Sequence, residues 1–329
     1  MSKTAIEWSD KVWNPVTGCT RVSAGCDKCY AVVMTKRLAS MGKEKYSGLV
    51  NVGKDHFNGV VRCHEDALLI PLKWKKPCRV FVNSMSDLFH KDVPFEFICK
   101  VFETMYDCGP TYHYKKRWGI TDWSDGKFWP GLTFQILTKR PERAAEFLNE
   151  VWPEHKEECL DPEILDWWKY DYGHEMPHVW IGTSVEDQKA ADERIPHLLR
   201  CPAAVRFLSV EPLLGAVDIA KYLFASCEHC DGSGCGSDGE LDWDCVECRG
   251  TGLDYDTRLG DLDWAIVGGE SGEGHRPMPM FAFNELCTQV IGAGVPLFVK
   301  QDSGRYPGNQ WRISEKWWGY KQFPEVGGQ

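Results

Sequence analysis

The sequence predicts an α/β chain, a partial (β/α) barrel carrying a small metal-binding insert. Three observations lead there. Short, continuously apolar runs recur along the chain, and each stops at a polar or glycine-rich turn ahead of a helical pattern; buried parallel strands read this way. The polar residues fall at the same place in every unit, just after the strand, where a parallel α/β barrel assembles its site. Two tight groups of cysteines mark metal sites rather than a disulfide framework. A doubly wound open sheet would share the local pattern, and the barrel is the preferred of the two.

About seven units follow in order. The loop ending at Cys19 closes the first strand, and Ala31 to Ala39 reads as its helix. Arg79 to Val82 runs into Asn83-Ser84-Met85-Ser86-Asp87, with a helix from Pro94 to Tyr106. Leu132 to Leu137 ends at Thr138-Lys139-Arg140, and Pro141 opens a helix through Leu148, as proline does at a first helical position. Val179 to Gly182 ends at Thr183-Ser184-Val185-Glu186-Asp187, with a helix through Arg194. Val205 to Leu208 ends at Ser209-Val210-Glu211-Pro212. Trp264 to Val267 ends at Gly268-Gly269-Glu270-Ser271, followed by a helix from Asn284 to Ile291. Pro296 to Val299 ends at Lys300-Gln301-Asp302. The expected division is a first barrel part over 1–225, an insert over 226–256, and barrel completion with a tail over 257–329. Two further segments break the rhythm: 107–130, where basic residues alternate with aromatics, and the acidic, Trp-rich 150–178, read as packing.

The 329 residues carry a net charge of −10, with 43% hydrophobic and 26% charged residues. That balance argues against a generic nucleic-acid coat, which needs a basic excess, but leaves room for a local basic cleft. No apolar run approaches a membrane span and the start has no apolar leader core, so a soluble cytoplasmic protein without membrane contacts is expected. The 15 cysteines are odd in number, which suits metal sites and buried thiols in a reducing compartment.

Cys19, Cys26 and Cys29 form a C-x6-C-x2-C group at the start of a helix. Three thiolates there suit an iron–sulfur cluster with one iron open to a non-protein ligand, because helix N–H groups help hold negative charge. A zinc knuckle with a remote fourth ligand, or three unrelated buried cysteines, remain open on spacing alone. The second group is a repeat, Cys227-x2-Cys230-x-Gly232-x-Gly234 and Cys245-x2-Cys248-x-Gly250-x-Gly252. Each half places two thiolates on one metal, and the glycines permit turns that aim N–H groups at sulfur. The two halves resemble the zinc repeats of DnaJ-type chaperones, which implies one structural Zn(II) on Cys227, Cys230, Cys245 and Cys248. A closed four-thiolate site is a staple, not a catalyst.

Tyr30 after the third cysteine, together with the strand-end motifs, makes the chain resemble a radical S-adenosylmethionine (SAM) enzyme. It is most similar to a phage-associated radical-SAM-like family with this wider cysteine spacing. The motifs that carry the resemblance are Trp13-Asn14-Pro15 to Tyr30, Phe81 to Phe89, Leu137 to Arg143, Gly182 to Gln188, Leu208 to Leu213, Val267 to Gly272 and Phe298 to Gln301. The four-cysteine insert and segment 107–130 lie outside that pattern. The resemblance implies that Cys19, Cys26 and Cys29 ligate a [4Fe–4S] cluster, with SAM chelating the fourth iron. Reductive cleavage of SAM would then give a radical that abstracts a substrate hydrogen, with an electron donor such as a flavodoxin or ferredoxin. Tyr30 would sit near the adenine. Asn83, Ser84, Ser86 and Asp87 occupy the place of the usual amine-binding segment. Thr183, Ser184, Glu186, Ser209 and Glu211 are candidates for ribose and carboxylate, and Gly268 and Gly269 form a strand-end turn near SAM.

The substrate is less legible. Lys139, Arg140, Lys300 and Gln301 stand at strand ends, with Arg276 in a following loop, and could meet a phosphate or carboxylate. Each basic residue is as readily a surface charge. The resemblance implies phage nucleotide or DNA-base hypermodification, for example isomerisation of an amino-acid adduct on thymidine, and therefore a nucleic-acid or nucleotide partner in the host cytoplasm. The alternatives are a zinc-dependent nucleic-acid-binding module without catalysis and a structural phage protein with incidental metal sites.

Overall fold

The computed structural model describes residues 4, 6–109, 131–163, 165, 166, 169, 176–237 and 242–325. Its strands are β1 (Lys11–Trp13), β2 (Val16–Thr17), β3 (Arg62–Cys63), β4 (Cys78–Val82), β5 (Leu132–Thr138), β6 (Val179–Ser184), β7 (Val205–Val210), β8 (Phe224–Ser226), β9 (Cys235–Ser237), β10 (Asp242–Asp244), β11 (Leu253–Arg258), β12 (Trp264–Gly268) and β13 (Leu297–Gln301). Helices are α1 (Tyr30–Ser40), α2 (Glu65–Leu68), α3 (Phe95–Asp107), α4 (Pro141–Glu146), α5 (Trp152–Cys159), α6 (Gln188–Leu199), α7 (Met280–Gly292) and α8 (Glu315–Trp318). A π-helical turn, Phe147–Val151, joins α4 to α5.

One seven-stranded sheet runs β1-β4-β5-β6-β7-β12-β13, and every pairing in it is parallel. The sheet curls into a half-barrel. Trp8, just before edge strand β1, lies only 6.3 Å from the ring of Trp264 in β12. Five strand spacings in a flat sheet would separate them by about 24 Å.

Alternation explains why the strands read as unbroken apolar runs. Val80 and Val82 of β4, Ile181 of β6 and Val267 of β12 point outward into the main core shared with α3 and α7. Phe81, Trp180, Phe207, Ile266 and Phe298 point into the concave side, where Trp8 and Trp264 join them. Trp8, Trp180, Trp264 and Phe298 sit toward the strand starts and plug that end, while Phe81 reaches up to line the cavity at the strand ends. The C-terminal segment seals the same end: Lys321 pairs antiparallel with Phe298 and bridges to Glu7 at 3.0 Å, while Phe323 stacks 3.9 Å beneath the Arg79 guanidinium. The opposite end is left for polar turns.

Two expectations need correcting. The first strand stops at Trp13, not at the loop before Cys19; the intervening residues turn and make the separate antiparallel pair β2–β3. The helix after Gly182 runs to Leu199 with Pro196 inside it. Its start is fixed by Asp187, whose carboxylate accepts the Ala190 N–H. Segment 107–130 lies outside the described residues beyond Gly109. Among the described residues no helix is long and apolar enough to cross a membrane.

Candidate active site and four-cysteine cluster

The cysteine loop folds over the C-terminal ends of the strands and encloses a cavity of about 140 Å³. Cys19, Cys26 and Cys29 all line it, opposite Asn83, Asp87, Lys139, Arg140 and Ser184. The loop needs its glycine: Gly18 has φ +87°, and a Cβ there would lie 1.9 Å from the Val60 carbonyl oxygen. Cys29 precedes the first residue of α1, Tyr30.

Two arginines clamp the loop. Arg140, at the end of β5, donates from Nη2 to the Thr20 hydroxyl at 2.8 Å and from Nη1 to Asp87 at 2.8 Å, with Nη1 also 3.9 Å from the Cys19 sulfur. Arg276 donates to the Ala24 carbonyl at 3.0 Å and to Glu270 at 2.6 Å, and pairs with Asp27. Asp87 has no acceptor capacity left over: it takes the Phe89 and Lys139 N–H groups and the Thr138 hydroxyl besides Arg140.

Burial pushes the Cys19 thiol up to about 12, with Asp87 adding to the rise and Arg140 opposing it. Burial also raises Cys29, against the N–H groups of Ala31 and Val32 at the helix start. Such thiols are deprotonated by binding a metal, which releases their protons to solvent, rather than by titration alone. The three sulfurs are not all within 4.8 Å of one another.

Around the cavity, the polar groups divide into committed and open ones. Asn83 sits at φ +59°; its side-chain Oδ1 accepts the Val16 N–H, while its buried Nδ2 has no partner. Among the described residues the Lys139 ammonium forms no ion pair, yet it lies close enough to Cys29 and Glu186 to act on both. Tyr30 keeps much of its ring exposed, and its hydroxyl donates to the Ser84 carbonyl. Ser84 and Ser86 donate to Asn14 and to the Val16 carbonyl.

Several residues expected at the site turn away from this cavity. Thr183, Glu186, Ser209, Glu211, Gly268, Gly269, Lys300 and Gln301 do not line it. Thr183 donates to the Thr138 carbonyl, joining β5 to β6. Burial pushes Glu186 up, but Lys139, Ser23 and Arg194 more than offset it and hold the carboxyl below its usual range. Glu211 takes the Lys300 ammonium at 2.6 Å. Gln301 ties Gly269 to Gly308. Gly269 is a packing glycine, because a Cβ there would lie 2.2 Å from the Ser303 nitrogen. Asn14, Thr20 and Glu270, none of them among the expected site residues, hold the loop and the turns. Asn14 was visible only as a neighbour of Pro15, and nothing in the pattern marked Thr20 as a partner of His90, 2.8 Å away.

The second cysteine group stands at the end of the antiparallel ribbon β8–β11. Its sulfurs pair at 3.9 Å (Cys227–Cys245) and 3.7 Å (Cys230–Cys248), which is tetrahedral-metal spacing. The halves match bond for bond. Gly234 N–H points at the Cys230 sulfur at 3.3 Å and Gly252 N–H at the Cys248 sulfur at 3.2 Å. Cys227 N–H reaches the Gly252 carbonyl and Cys245 N–H the Gly234 carbonyl, both at 2.9 Å. This four-sulfur cluster can hold a metal ion such as zinc.

A family model described as "Protein of unknown function (DUF5131)" matches residues 3–116 and 124–322. The chain belongs to this family. No curated protein and no solved structure matches it. The DUF5131 match pauses only over 117–123 and continues through the four-cysteine segment. The family therefore spans both cysteine groups and every strand of the half-barrel.

Proposed function

We propose that this DUF5131 protein is a radical SAM enzyme, with Cys19, Cys26 and Cys29 as ligands of a [4Fe–4S] cluster, acting on a nucleotide or nucleic-acid base. The observation that carries the reading is the convergence of three half-buried sulfurs on a cavity at the open end of a curled parallel sheet. Bound there, the cluster and SAM would supply one-electron cleavage and hydrogen abstraction from an unactivated carbon.

The chain's own residues do the rest. Arg140 and Arg276 fix the loop so that its sulfurs keep their positions. Asn83 Nδ2, buried and unpartnered, is a donor ready for a carboxylate or ribose oxygen. Lys139 supplies a cation for a carboxylate or phosphate. The aromatic plug beneath excludes water from the strand-start side. We assign the four-sulfur cluster to Zn(II), on its sulfur spacing and glycine N–H donors, as a staple for the insert. The zinc-only binding module is the weaker reading, because the loop sulfurs lack the spacing that the insert sulfurs have.

The deciding experiment reconstitutes the protein with iron and sulfide without oxygen, then follows visible absorption, EPR and 5′-deoxyadenosine after SAM and dithionite. A four-iron signal that changes with SAM, and nucleoside release lost in Cys26→Ala, supports the proposal. A colourless protein binding only zinc, with no cleavage, overturns it.

A further inference from the structure

Away from both cysteine groups, α3 and α5 pack through Phe102 and Trp152, whose rings lie 5.2 Å apart. At the solvent edge of this contact, His155 Nε2 meets Glu103 Oε1 at 2.6 Å. Cys159 stands four residues beyond His155 on α5, hence on the same helix face. The ring nitrogen, the carboxylate oxygen and the thiol sulfur all lie within 4.8 Å of one another. Trp152 stacks on the His155 ring at 5.8 Å and 29°, which fixes its plane. On α3 the same four-residue step separates Glu103 from buried Cys99, which is close enough to Cys159 to feel its charge.

We propose that Glu103, His155 and Cys159 form a further transition-metal site, suited to Zn²⁺ or a similar borderline divalent cation. One nitrogen, one sulfur and one oxygen donor exclude calcium and magnesium, which take oxygen ligands, and match the ligand set zinc accepts. Metal–ligand bonds of about 2.0–2.3 Å place tetrahedral ligands about 3.3–3.8 Å apart. Modest rotations of these solvent-edge side chains close the gap from the present spacing. Metal entry displaces the proton shared by His155 and Glu103 and leaves the fourth position to solvent. The ligands come from two separate helices, so the ion would also pin α5 to α3. The inference is independent of the reading of the cysteine loop.

The test counts zinc on the full chain by mass spectrometry after chelation and reloading, and measures affinity against a chromophoric chelator. His155→Ala and Cys159→Ser should each bind one equivalent less than the parent, while Cys230→Ser loses a different one. Glu103→Gln keeps a partner for His155 and should weaken one site more than tenfold with unchanged circular dichroism. That variant decides the matter if either of the other two fails to fold. Parent-like stoichiometry and affinity in Glu103→Gln, or in folded His155→Ala and Cys159→Ser, overturns the proposal.

Discussion

Arg140 and Asp87 meet at 2.8 Å beneath the cysteine loop, with side chains only 16% and 7% exposed. The pair joins three parts of the chain: the turn after β4, the end of β5 and the loop at Thr20. Removing the guanidinium strands a buried carboxylate, and breaking a buried pair from one side costs about 3–5 kcal/mol. Arg140→Met should therefore lower stability by about 3 kcal/mol in urea unfolding. It should also lower the iron retained after reconstitution, because Thr20 loses its tether beside Cys19. Arg140→Lys keeps the charge without the fork and should recover only part of both losses. Full iron loading in Arg140→Met would show that the loop holds its shape without the clamp.

Gly182 of β6 faces Phe207 of β7, its register partner. A Cβ at Gly182 would lie 2.4 Å from that ring. The ring belongs to the concave plug and has no open side to move into, so Gly182→Ala should cost about 1–3 kcal/mol by overpacking. Adding Phe207→Leu should return part of that loss. A neutral Gly182→Ala in thermal unfolding would mean that the plug is loose.

The strands were legible because covered parallel strands leave an unbroken apolar signature, and the helix starts because Pro141 and Asp187 are local signals. The two cysteine groups were legible from spacing alone. What the sequence did not carry was which strand-end residues face the cavity. Glu211, Lys300 and Gln301 look like site residues by position, yet the strand-end turns bring them to one another instead. That choice is made by pairings 89 and 90 residues apart, which no local pattern encodes. Arg140 and Arg276 read as substrate cations for the same reason, although their partners, Thr20 and Ala24, lie 120 and 252 residues away.

His178 reports on the core beneath the site. Its Nε2–H donates to the Met105 carbonyl at 2.8 Å, and burial holds the imidazole down at about 4. In the unfolded chain it titrates near 6.5. Between those values the unfolded state binds a proton that the folded state refuses. Stability is therefore full above about pH 6.5 and falls as pH drops toward 4, at roughly 1.4 kcal/mol per unit. Burial lowers His90 and His64 in the same direction. His178→Gln should thus flatten the slope by about one proton rather than abolish it. Urea midpoints from pH 7.5 to 5 measure this, and an unchanged slope would mean that His178 charges within the fold.

The insert offers a sharper separation of parts. Its four sulfurs, its paired glycine N–H donors and its crossed Cys N–H to glycine carbonyl bonds all converge on one point. Burial raises both the Cys248 and the Cys227 thiols; at Cys248 the Gly252 N–H and the neighbouring sulfurs more than offset this and lower it, while Cys227 stays raised. Among the described residues few apolar side chains accompany the sulfurs, so a bound metal would stabilise this segment in place of a core, as structural zinc does. Cys248→Ser should lose one zinc and open 226–256 to limited proteolysis. The far-ultraviolet circular dichroism, dominated by the half-barrel and its helices, should stay nearly constant, since β8 and β11 end the insert in a ribbon anchored by Phe224 packed at a tilt against Tyr255, ring centres 4.9 Å apart. Loss of the whole fold in Cys248→Ser would instead make the cluster part of the barrel's own stability, and the ribbon a structural strut rather than a tether.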